Sequence, residues 1–75
     1  MLALIEQLSP RRRECFDYMI LGYGYKEIGM LMTISIGAVG NHAHKVLKHL
    51  DIPDRLTLIL KYYNLPNWMD GDNNV

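Results

Sequence analysis

The segment from residue 36 to residue 50 constrains the fold more than any other part of the chain. Its apolar residues recur every three or four positions, which is the spacing of one face of an α-helix. They are Ile36, Val39, Ala43, Val46, Leu47 and Leu50. Ser35 precedes this run and is a residue type that caps the free amide groups of a helix. The sequence therefore predicts an amphipathic helix over residues 36–50 with its apolar face turned inward.

Three further segments have the caps and the apolar spacing of helices. They cover residues 10–21, 25–32 and 55–64. Ser9 is expected to cap the first, Gly24 with Glu27 to begin the second, and Asp54 to cap the last. No stretch alternates apolar and polar residues as a half-buried strand would. We therefore expect an all-α fold, with Ile28 and Leu31 of the second helix facing the core.

The 75 residues suffice for one small domain. We expect this domain over residues 1–75, with the segments that define its helical motif over residues 8–60. The polar segment 66–75 is expected to be a flexible tail. Hydrophobic residues make up 49% and charged residues 21% of the chain, which is ordinary for a soluble globular protein. The sequence contains neither a secretion signal nor a run long enough to cross a membrane, so we expect a cytoplasmic location.

Residue chemistry argues against an enzyme. Cys15 is the only cysteine and is expected to be a buried thiol. His42 and His44 do not share a helix face, and His44 and His49 are five residues apart, so no zinc pair is apparent. No Ser-His-Asp or Cys-His set, paired carboxylates or phosphate-binding glycine loop is visible. We expect no catalytic site, no metal and no cofactor.

Two helices joined by a short turn, the second longer and amphipathic, form a helix-turn-helix, whose second helix lies in the major groove of DNA. Asn41, His44, Lys45 and Lys48 fall on the side of this helix away from its apolar residues. Asn can pair with adenine through two hydrogen bonds, and Lys can meet phosphates. The same residues would also suit an ordinary solvated face. The net charge of zero is weak support for a nucleic-acid partner, although residues 1–50 are mildly basic.

The span from Leu8 to Ile59 resembles the helix-turn-helix domain of the LuxR/GerE family of bacterial transcription regulators. The matching stretches are Leu8-Ser9-Pro10-Arg11, Arg13-Glu14, Gly22, Lys26-Glu27-Ile28, Ile34-Ser35, Gly37, Val39, Asn41-His42, Val46-Leu47, Leu50, Ile52 and Asp54-Arg55. The resemblance implies a four-helix domain that binds double-stranded DNA, from a bacterium or a phage. The chain departs from the family at Arg12, Ala38 and Gly40, where the family usually has Glu, Thr and Lys.

The DNA contacts expected from the helix faces and the resemblance together lie on the first three predicted helices. They are Arg11, Lys26, Ser35, Gly40, Asn41, His44, Lys45 and Lys48. Arg12 and Arg13 are further candidates for the DNA backbone, but at least one of the three consecutive arginines is expected to pair with Glu14 or Asp17. His42 is expected to be a structural residue turned toward the protein.

The predicted fourth helix is apolar nearly all round. One stripe, expected to face the core, comprises Leu56, Ile59, Leu60 and Tyr63. Leu58 and Tyr62 form a second stripe, and in the family this helix commonly makes the dimer contact. We therefore expect a partner interface that includes Leu58, Tyr62 and Leu56. The alternative is that Leu58 and Tyr62 pack beneath residues 1–5 or the segment around Trp68.

Two functions are consistent with these patterns. The first is a small dimeric transcription regulator whose third predicted helix enters the major groove. The second is a protein-interaction module, for example an anti-activator that pairs with another LuxR-type regulator and blocks its DNA binding. The family's commonest use favours the first, whereas the neutral charge and the changes at Ala38 and Gly40 favour the second.

Overall fold

The computed structural model describes residues 2–63, which form five helices and no strand. The helices are α1 (Leu2–Glu6), α2 (Pro10–Ile20), α3 (Tyr25–Met32), α4 (Ile36–His49) and α5 (Arg55–Tyr62). The all-α fold class and the four predicted helices are confirmed. The helix count of four is too low, because the single turn of α1 is too short to show a periodic pattern. The predicted tail, residues 66–75, lies outside the described residues.

The predicted caps explain where the helices begin. Ser9, Ser35 and Asp54 each accept a hydrogen bond from the amide three residues further along the chain, at 3.3, 3.0 and 2.8 Å. At the start of α3, the Glu27 carboxylate accepts from the Gly24 amide at 2.8 Å. Each bond satisfies a polar group that the first turn of a helix leaves without a partner.

Helix α2 occupies the centre of the fold and packs against α3, α4 and α5. Its buried residues are Cys15, Phe16, Met19 and Ile20. The Phe16 ring meets Tyr62 of α5 edge to face, with the ring centroids 5.5 Å apart. Val39, Ala43 and Val46 of α4 are fully buried, as their spacing predicts.

In α3 and α4, two residues expected in the core are exposed. Leu31 of α3 is 49% exposed and Ile36 at the start of α4 is 55% exposed. Helix α3 has only eight residues and reaches the core through Ile28, Gly29 and Met32, which leaves Leu31 beside this line of contact. Ile36 is the first residue of α4 and lies before the buried stretch that begins at Val39.

The two predicted stripes of α5 are reversed. Leu58 and Tyr62 are fully buried in the domain, whereas Leu56, Leu60 and Tyr63 are each about two-thirds exposed or more. The placement of Leu58 and Tyr62 in a partner interface is therefore wrong, and Leu56 is the predicted interface residue that stays accessible. A helix that is apolar on both sides can bury either one, and the contact of Tyr62 with Phe16 selects the side.

Candidate nucleic-acid interface

A close backbone approach holds α3 and α4 at the helix-turn-helix. The turn between them bends at Thr33, whose φ of 59° is left-handed. The Ile34 amide then donates to the Gly29 carbonyl at 2.9 Å. A Cβ at Gly29 would lie 2.8 Å from the Ile34 carbonyl oxygen, closer than real contacts allow. The absence of a side chain at Gly29 therefore fixes how near the turn lies to α3, a role that sequence spacing alone does not reveal.

The outer side of α4 carries the predicted reading residues. Asn41, His44, Lys45 and Lys48 are all exposed, as their spacing predicts. Asn41 lies three and four residues before His44 and Lys45, and Lys48 lies four and three residues after them, so the four side chains form one stripe along the helix. Helix α4 contains no acidic residue. Its outer stripe therefore presents only hydrogen-bonding and positively charged groups.

Gly40 lies beside this stripe in open space. A Cβ added there would have no neighbouring atom within 4 Å. At the start of the same helix, Ser35 Oγ accepts from the Ala38 amide and keeps its hydroxyl hydrogen available to donate to a further partner. No packing constraint thus accounts for the glycine at position 40.

The three consecutive arginines have different surroundings in the structure. Arg11 pairs with Glu14 at 2.8 Å and also donates to the Met32 carbonyl at 2.7 Å. Arg13 pairs with Asp17 at 3.0 Å. These pairs confirm the expectation that carboxylates engage at least one of the arginines. The guanidinium of Arg11 is committed to joining α2 to the end of α3, which argues against its predicted DNA contact.

Arg12 has a different environment. It shares a groove with Lys45 and Lys48 of α4, and no carboxylate among residues 2–63 forms an ion pair with it. Its Nε is shielded from solvent and has no hydrogen-bond partner in the described part of the chain. The tertiary fold thus selects, from three adjacent arginines, the one that joins the cationic residues of α4.

His42 interacts electrostatically with these cations. It is half-buried, as expected for a residue turned toward the protein, but its Nδ1 has no hydrogen-bond partner among residues 2–63. Burial lowers the pKa of His42, and the nearby charges of Arg12, Arg11 and Lys45 lower it further. The local potential at this side of α4 is therefore positive.

Lys26 and Ser35 lie together at a second place. Both line a shallow depression at the helix-turn-helix, beside Met30 and Ile36. Met30 is 73% exposed, so this depression is largely apolar between the two polar residues. Apart from Arg11, the predicted contact residues thus fall into three groups: the outer stripe of α4 with Gly40 beside it, the Arg12 groove and the depression at the turn.

The distribution of carboxylates explains how a neutral chain can have a basic surface. Glu14 and Asp17 pair with arginines, while Glu27 and Asp54 cap helices. The cap bonds from Thr57 lower the pKa of Asp54, which favours its ionised form. Most acidic groups of residues 2–63 are therefore engaged within the domain, and none of these four pairs with a cation of α4.

These elements define a helix-turn-helix domain, with α3 as its first helix and α4 as its second. Residues 1–50 match the family model described as Sigma-70, region 4. The match covers two-thirds of the chain and includes α1 to α4, and the chain belongs to this family. The LuxR/GerE helix-turn-helix domain that the sequence resembles is related to this family, but the match does not confirm that particular family. No curated protein and no solved structure matches the chain.

Two further observations concern other kinds of site. None of the helices formed by residues 2–63 is long and apolar enough to cross a membrane. Within the same residues, no three His, Cys, Asp or Glu side chains lie close enough together to hold a metal ion.

Proposed function

We propose that the protein is a small DNA-binding transcription regulator whose helix α4 enters the major groove. The observation that carries the proposal is the outer stripe of α4, where Asn41, His44, Lys45 and Lys48 are exposed together on a helix without acidic residues. Asn41 and His44 are suited to base edges, and Lys45 and Lys48 to phosphates. Membership of a helix-turn-helix family supports this use of the fold.

Salt-dependent binding to random duplex DNA tests the proposal. Each phosphate contact releases counterions, so three cations at the backbone (Lys26, Lys45 and Lys48) should give a log–log salt slope of about −3. The double variant Lys45→Gln/Lys48→Gln should flatten this slope by about 2. Absence of binding at low salt and micromolar protein would contradict the proposal.

Position 40 offers a second measurement on the same surface. Since a side chain there meets no neighbour, Gly40→Lys can place a cation beside the stripe without steric cost. We expect Gly40→Lys to bind random duplex more tightly than Gly40→Ala, the control for the change in helix propensity. If both variants bind more weakly than the wild type, the bare backbone at Gly40 is itself needed against the DNA.

The exposed face of α5 supports association with a protein partner. Leu56, Leu60 and Tyr63 form one apolar stripe on this helix. We place the dimer contact there, because a two-fold pair would present two α4 helices to half-sites about 34 Å apart. The alternative function, an anti-activator that pairs with another regulator, would use the same face. Sedimentation of the free protein, taken together with the DNA titration, distinguishes the two functions. A monomer without DNA affinity would favour the alternative.

A further inference from the structure

A groove separates the α1–α2 connection from the C-terminal half of α4. Residues 7–9 line one side, Lys45, Lys48 and His49 line the other, and Arg12 contributes from α2. Its volume is about 300 Å³. This is the lower end of the range for small-ligand pockets, so the groove suits a single compact group.

The charged groups that residues 2–63 contribute to the groove are all cationic. Arg12, Lys45 and Lys48 line it, and none of the Asp and Glu residues in this part of the chain does. The Nε of Arg12 is buried without a hydrogen-bond partner among residues 2–63, which is costly unless an acceptor completes it. Guanidinium groups bind phosphate oxygens through charge-assisted, often bidentate, hydrogen bonds. The donors of this groove therefore suit an anion.

The wall of the groove is held in place by α1. The His49 Nε2–H donates to the Leu4 carbonyl at 2.8 Å, which ties the end of α4 to the first helix. On α2, the Arg12 amide donates to Ser9 Oγ, which fixes the backbone from which the Arg12 side chain extends. A site whose walls are already joined loses little conformational freedom when it binds.

Lys45 and Lys48 belong both to this groove and to the outer stripe of α4. An anion in the groove would thus lie next to the surface that carries Asn41 and His44. In a DNA complex, the group beside a helix in the major groove is the phosphodiester backbone. Burial is the main cause of the lowered pKa of His42, and the charges of Arg12, Arg11 and Lys45, which lower it further, would also attract such a ligand.

We propose that this groove is a binding site for one phosphodiester of the DNA backbone, with Arg12 as its central donor and Lys45 and Lys48 beside it. The proposal rests on the proposed function and specifies where one strand is held, at the C-terminal half of α4. It also gives α1 a role, since the bond from His49 to Leu4 joins that helix to the site.

The test compares Arg12→Gln with the wild type on random duplex DNA over a range of salt concentrations. Loss of one phosphate contact should weaken binding about tenfold at 50 mM salt and reduce the salt slope by about 1. The matched control is Lys61→Gln, which removes an exposed cation on α5, outside the groove. It should bind as the wild type does. Equal losses in both variants would overturn the proposal, because net charge alone would then explain them.

A second variant and a direct probe guard against a folding defect. Arg12→Lys keeps the charge and removes the Nε donor, so it should retain the salt slope while binding several-fold more weakly. The Nε–H resonance of Arg12 should shift when duplex DNA is added to the wild type. If it stays unmoved while the amides of Asn41 and His44 shift, the groove proposal fails and the proposed function stands.

Two other outcomes are decisive. If no resonance moves on addition of duplex at low salt, both proposals fail together. If millimolar inorganic phosphate shifts the Arg12 Nε–H as strongly as duplex does, the groove is a site for small anions and its assignment to the DNA backbone is wrong.

Discussion

The inner side of α3 and the outer side of α4 both carry a glycine within a helix, yet the two glycines have opposite surroundings. A Cβ at Gly29 would meet the Ile34 carbonyl oxygen at 2.8 Å, whereas a Cβ at Gly40 would meet nothing within 4 Å. Each should cost its helix about 1 kcal/mol relative to alanine. Packing therefore requires glycine at position 29, whereas only the surface chemistry of α4 can require it at position 40.

Replacement of Gly29 by alanine should have the largest effect. Overpacking typically costs about 1–3 kcal/mol, and here the opposing atom belongs to backbone that cannot rotate away. The fixed backbone places the cost at the upper end of this range, so after the gain of about 1 kcal/mol in helix propensity we expect a loss of about 2 kcal/mol in the free energy of unfolding, measured by urea denaturation. Unchanged or increased stability of Gly29→Ala would show that the turn yields easily and would remove the contrast with Gly40.

The buried thiol of Cys15 on α2 provides a second test of the interior of the domain, to be set against the exposed surface at Gly40. Burial raises the pKa of Cys15 from 9.0 to about 11. The unfolded chain therefore loses this proton first, and stability should fall as pH rises from about 9 to 11, by about 2 kcal/mol at pH 11. Unfolding curves for Cys15→Ala should show a flatter dependence over the same range. Burial also raises the pKa of Tyr62, but this group is present in both proteins and cancels in the difference.

Gly40→Ala should have the smallest effect, and in the opposite direction. With open space around the new methyl group, only helix propensity changes, so the variant should be more stable by about 1 kcal/mol. Thermal and urea unfolding measure this gain. A loss of stability would mean that Gly40 has a structural role that its surroundings do not reveal, and the two glycines would no longer be opposites.

Local signals account for most of the fold. The starts of α2, α4 and α5 follow from Ser9, Ser35 and Asp54, because a cap acts within one turn of the chain. The inward face of α4 follows from its spacing, because only one side of that helix is apolar. The exposed stripe from Asn41 to Lys48 follows as the opposite side of the same pattern. The DNA contacts assigned to that stripe remain predictions.

Other features depend on residues far apart in the chain. The burial of Tyr62 depends on Phe16, 46 positions earlier, and α5 alone offers two equally apolar sides. Helix α1 has no periodic pattern of its own, and its place in the fold depends on a distant contact, the hydrogen bond from His49 to the Leu4 carbonyl. The orientation of α5 also depends on Arg55, which donates to the carbonyls of Met19 and Tyr23.

Caps and helical periodicity act over a few residues, so the local sequence specifies where the main helices begin and which side of α4 faces outward. Contacts between distant residues specify which side of α5 is buried and why the turn leaves no room for a side chain at Gly29. They also specify which of three adjacent arginines joins Lys45 and Lys48. The physical reason is that burial, close approach and electrostatic potential depend on atoms brought together only when the chain folds.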